Sequence, residues 1–144
     1  MDPVQAYQLV YNFMSLAIAA MGSSFFFFVS ARGALKPENR MAVTLSATVV
    51  LIALYHYVRI FDSWVATVGG SQGTFNEAYR YVDWILTVPL LVAELVLVLR
   101  LDKKLESTLL RRNVLYAFLM IATGYIGEMD VQTKVDLGSV RTIW

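Results

Sequence analysis

Arg80-Tyr81-Val82-Asp83-Trp84-Ile85-Leu86-Thr87-Val88-Pro89-Leu90-Leu91-Val92-Ala93-Glu94 is the stretch on which the reading of the chain turns. It is apolar enough to cross a bilayer, yet it holds one arginine and two carboxylates. At about 100° per residue, Glu94 returns to within about 20° of the face that carries Asp83. Thr87 lies one turn after Asp83 and Arg80 one turn before it, so four polar groups share one stripe. Along the helix axis the two carboxylates are about 16 Å apart. Charge at membrane depth is expensive, and such groups mark a functional path more often than a structural accident.

Composition sets the frame for that stretch. The 144 residues are 58% hydrophobic and 16% charged, with a mean hydropathy of +0.57. A soluble domain would carry nearer a quarter charged residues. There is no cysteine, hence no disulfide framework and no thiolate metal site. The net charge of +1 gives no reason to expect nucleic acid as a partner. The expected fold class is an all-α membrane protein.

Working outward, residues 4–29 form a first apolar run long enough to span with some tilt. No basic residue precedes Arg32, so the run reads as a membrane helix and not as a secretory signal. The tetrad Phe25 to Phe28 is given to lipid or to packing at the helix end. A basic loop follows with Arg32, Lys36, Pro37, Glu38 and Arg40. The second span is placed at 41–61, with His56 and Arg59 in its last third. Residues 67–73 read as a tight turn or short hairpin, and Thr74 to Glu77 as a capping box opening the third span, 75–99. A second basic loop is expected to hold Arg100, Lys103, Lys104, Arg111 and Arg112. The fourth span is placed at 108–127, followed by a polar connection over 128–136 and the start of a fifth helix at 138–144. All of this is expected to form one membrane domain.

The two basic loops hold three and five of the twelve Lys and Arg residues, and a four-span reading puts both on one side. The positive-inside rule makes that side the cytoplasm and leaves the N-terminus outside. Arg80 and Asp83 then lie towards the exterior and Glu94 towards the cytoplasm. A neighbouring cation favours an ionised Asp83, while apolar neighbours favour a protonated Glu94. One group ready to accept a proton and another ready to donate one is what a relay needs. The alternative is that both are hydrogen-bonded structural groups inside a bundle. His56, the single histidine, reads as a packed residue, since no cysteine or second histidine is available to complete a metal site. Pro89 loosens or kinks its helix.

The stretch from Arg80 to Leu91 resembles the third helix of microbial rhodopsins, and Asp83, Thr87 and Glu94 resemble the proton-pump triplet of the proteorhodopsins and xanthorhodopsins. Tyr55 to Phe61, and Met120 to Glu128, are similar to the xanthorhodopsin branch. The resemblance covers essentially the whole chain and implies the N-terminal part of a seven-helix bundle. It implies a light-driven outward proton pump, a transporter and not an enzyme, in the inner membrane of a bacterium. Asp83 would be the Schiff-base counterion and proton acceptor, and Glu94 the cytoplasmic donor. His56 would hydrogen-bond the counterion, Arg80 would gate the exit, and Thr87 would couple to Asp83. All-trans retinal would be lined by Tyr81, Trp84, Val88, Leu91, Met120 and Gly124, with Leu91 resembling the green-absorbing type. A carotenoid antenna is a further implied cofactor, because Trp144 falls just before the position where xanthorhodopsins keep a glycine for it.

The family attaches retinal to a lysine of its seventh helix. The lysines here are Lys36, Lys103, Lys104 and Lys134, all expected in loops. The chain therefore looks like a part that needs the remaining helices, its own or those of a complementary chain. The other expected partners are the lipid bilayer and further copies in a homo-oligomer. Two alternatives stay open: a sensory photoreceptor, against which the donor carboxylate argues, and a fragment inactive by itself.

Overall fold

A computed structural model describes residues 2–70 and 79–131, and the regular structure of these residues is helical throughout. Helix α1 covers Pro3–Ala31, α2 Arg40–Val68, α3 Tyr79–Val98 and α4 Lys103–Val131. Two 3₁₀ turns, Arg32–Ala34 and Pro37–Asn39, join the first pair. The chain divides into two compact units, one holding α1 and α2 and the other α3 and α4. The expected capping box, the polar residues beyond Val131 and the fifth helix lie outside the described residues.

Among the described residues, three stretches are long and apolar enough to cross a membrane: Pro3–Ala34, Pro37–Val68 and Tyr79–Val98. Each 29-residue helix is roughly 43 Å long, more than the hydrocarbon core requires. Helix α1 has no buried residue, and Phe26 and Phe27 of its phenylalanine tetrad are 70% and 66% exposed. Lipid tails are as apolar as those rings, so their exposure carries no penalty in a bilayer.

In the first unit, aromatic rings join the helices where the hydrophobic effect is absent. Tyr7 stacks on Trp64 at 5.1 Å between centroids, and Tyr11 meets Phe61 edge-on at 4.9 Å. These contacts explain why α2 runs seven residues beyond the expected end at Phe61. Asp62 and Ser63 look like a boundary in sequence, but both flanking rings are engaged by α1. The helix stops at Gly69, whose N–H donates to the Val65 carbonyl at 2.8 Å. Gly70 then turns the chain with a φ of 77°, a conformation natural to glycine.

Hydroxyl groups inside the spans satisfy themselves on their own helices. Ser23 donates to the Ala19 carbonyl, Thr44 to Arg40, Ser46 to Ala42 and Thr48 to Thr44. With no water at that depth, the carbonyl four residues back is the nearest acceptor.

Helix α4 differs from expectation at both ends. It starts at Lys103, preceded by Asp102, whose carbonyl accepts the Glu106 N–H at 2.8 Å. It continues to Val131, through residues expected to form a polar connection. Lys103, Lys104, Arg111 and Arg112 therefore sit on a helix and not in a loop, because Lys, Leu, Glu and Arg are good helix formers in water. The apolar part of this helix is the short run 113–127 between charged flanks. Arg100 remains between helices, with a φ of 48° closing α3 in the left-handed conformation common after a helix C-terminus.

Candidate functional site

Helix α3 presents the polar stripe on a graded scale of exposure. Asp83 and Thr87 are each 4% exposed, Glu94 is half-buried and Arg80 is exposed. The two buried groups follow from the register: positions 83 and 87 lie one turn apart on one face, while the buried Val96 lies on the opposite side of the helix. The Thr87 hydroxyl donates to the backbone carbonyl of Asp83 at 3.0 Å. The link between these residues thus runs through Asp83's main chain. Two residues further, Pro89 lies inside the helix and withholds the N–H that Ile85's carbonyl would accept. A threonine back-bond and a proline within one turn both favour bending.

His56 is buried in α2 of the first unit, 7% exposed, with its ring edge-on to Tyr55 at 5.1 Å. Arg59 of the same helix is exposed.

In the second unit Tyr81 is the hub. Its ring meets Trp84 at 5.1 Å and Tyr125 at 6.3 Å, both edge-to-face. A methyl group on Gly124 would come within 2.7 Å of the Tyr81 Cε1 atom, so the ring occupies the space that only a glycine leaves open. Beside this contact lies a cleft of about 860 Å³, within the range of small-molecule sites. Tyr81, Met120 and Gly124 line it, together with Leu119, Ile121, Thr123, Gly127 and Glu128.

Of the residues expected around a cofactor, the cleft brings together Tyr81, Met120 and Gly124. Trp84 and Leu91 are exposed and Val88 is half-buried on α3, and none of the three lines the cleft. Ile121, Thr123, Gly127 and Glu128 were not singled out as pocket residues from sequence. For Thr123 and Gly127 the signal was the spacing 120, 123, 124, 127, which makes one face of a helix. Of the described lysines, Lys36, Lys103 and Lys104 are all exposed, which excludes them from any dry pocket in this arrangement.

Residues 8–144 match the family described as bacteriorhodopsin-like protein, and the chain belongs to that family. It covers the N-terminal part of a microbial rhodopsin. Among its relatives, the green-light absorbing proteorhodopsin of a gamma-proteobacterium is 31% identical over 120 residues, covering 83% of this chain and 46% of that protein. Bacteriorhodopsin of Halobacterium salinarum is 29% identical over 134 residues, covering 91% and 48%. The structure of xanthorhodopsin, titled a light-driven ion pump with dual chromophore, aligns over all of this chain and 59% of that one. The TM-score is 0.86 and the identity 44%. A thermophilic rhodopsin aligns over 96% and 56%, with a TM-score of 0.83 and 43% identity. The chain spans about half the length of the curated relatives it matches. Its apolar helices and its bacterial proteorhodopsin relatives point to a bacterial membrane protein.

Proposed function

We propose that this chain supplies the proton-handling half of a light-driven outward proton pump. The observation that carries the reading is the burial of Asp83 and Thr87 on one face of an otherwise apolar spanning helix, with Glu94 further along it. A carboxylate is placed there at a cost that transport justifies.

Asp83 is the proton acceptor and counterion, held in position by the Thr87 bond to its own main chain. Glu94 is the cytoplasmic donor, half-buried on the same stripe eleven residues beyond Asp83. Arg80, exposed before the first turn of the stripe, orients the departing proton outward. To His56 the resemblance assigns the tuning of the acceptor's proton affinity. The direction of transport rests on a cytoplasmic location for the basic turns and an outside N-terminus.

The cleft beside Tyr81 fits an apolar cofactor, since its lining combines the Tyr81 ring with Leu119, Met120, Ile121 and the small residues Gly124 and Gly127. Retinal is that cofactor, and when bound it would supply a light-driven change of shape. Tyr81, Met120 and Gly124 would hold it within this chain, with Trp84, Val88 and Leu91 contributing from α3. A carotenoid antenna and a homo-oligomeric assembly belong to the same proposal.

The test is to express the chain joined to the C-terminal helices of the xanthorhodopsin it resembles, with retinal. Visible colour and light-driven acidification of a cell suspension are expected. A coloured protein that moves no protons would leave a sensor and remove the pump.

A further inference from the structure

We propose that the turn between α1 and α2 is a binding site for the phosphate group of an anionic lipid. A cleft of about 370 Å³ lies there, lined by Val29 and Ser30 from the end of α1, Arg32 and Gly33 from the first 3₁₀ turn, and Arg40 at the start of α2. No residue of the proton path borders it.

Its chemistry follows from how Arg40 is held. The Arg40 Nε donates to the Leu35 carbonyl at 3.1 Å and one terminal nitrogen donates to the Gly33 carbonyl at 3.4 Å. Those two bonds fix the guanidinium across the turn. A guanidinium has five N–H donors, so the plane retains donors for a further acceptor. Arg32 adds a second guanidinium to the lining, and a forked planar cation matches a phosphate better than an ammonium does. Lys36 adds a third cation to the turn against the single carboxylate of Glu38.

Position selects the source of the phosphate. The turn joins two stretches that cross the bilayer, Pro3–Ala34 and Pro37–Val68, so it sits at the headgroup level of one membrane face. Val29 gives the cleft an apolar side continuous with the lipid-facing rings of α1, where a glycerol and its acyl chains belong. Basic pockets at the ends of spanning helices take lipid headgroups in this way. A free phosphate would gain nothing from the apolar wall.

The full protein would be reconstituted in nanodiscs made from equal parts of phosphatidylcholine and phosphatidylglycerol. Native mass spectrometry then reads the lipid that stays attached. Phosphatidylglycerol is expected to be enriched over phosphatidylcholine, and inorganic phosphate should not displace it. Arg32→Gln is expected to reduce the enrichment roughly fivefold, the usual worth of one basic residue at an anionic leaflet. That variant leaves both Arg40 bonds in place, so it separates loss of charge from loss of the turn. Arg40→Gln should reduce enrichment further. Equal retention of the two lipids overturns the proposal, as does enrichment unchanged in both variants. Displacement by inorganic phosphate would overturn the lipid as the ligand.

Discussion

Tyr81 fills the space in front of Gly124, where an added Cβ would lie 2.7 Å from one ring carbon and 3.6 Å from two others. A ring cannot swing aside as the end of a lysine can, and Trp84 and Tyr125 pack against it. Gly124→Ala is therefore expected to destabilise the helix pair by about 1–3 kcal/mol, the usual cost of overpacking. It should also shift the absorbance of the retinal-loaded protein. The double change with Tyr81→Ala should recover part of the stability loss, read by thermal unfolding in detergent. Equal melting of Gly124→Ala and the parent protein would show that the ring moves freely.

Asp83→Asn should abolish light-driven acidification while leaving a coloured, red-shifted protein. In the proposed counterion role, losing the carboxylate lowers the excitation energy of the chromophore and leaves no acceptor. Undiminished proton transport by the variant would sink the assignment.

Glu94→Gln is expected to slow recovery of the resting pigment without blocking the first proton movement. Flash photolysis at neutral pH reads both phases separately. Recovery at the parent rate would remove Glu94 from the donor role.

Thr87→Val keeps the shape and removes the hydroxyl that donates to the Asp83 carbonyl. A loss of about 1 kcal/mol in stability is expected, the net worth of one such bond. Thr87→Ser should restore it, because the hydroxyl returns. If valine and serine behave alike, the bond does not matter.

The polar stripe was legible because helical periodicity acts on residues that stand out. Asp83 and Thr87 are conspicuous in an apolar run, and both are buried as a shared face requires. The pocket face of α4 was harder to read. Leu119, Ile121 and Gly127 look alike in sequence whether they face lipid or a cleft, since both settings are apolar. The resemblance assigned Trp84, Val88 and Leu91 to the cofactor, but the cleft in the second unit is bordered from α3 by Tyr81 alone. The end of α2 was misplaced for another reason. Asp62 and Ser63 mark a drop in hydropathy, but a helix ends where its backbone partners run out, and here Gly69 and Gly70 decide that.

The charged start of α4 has a practical consequence. The run 113–127 is about 22 Å long, less than the hydrocarbon core, so the charged residues before it belong to the polar interface. The connection at Leu99 to Asp102 follows directly on the span Tyr79–Val98, so it lies at the membrane–water boundary. A protease site or a small folded reporter inserted there would stand in solvent without entering either helix pair. For a protein whose other surfaces are mostly greasy, that connection is the natural handle.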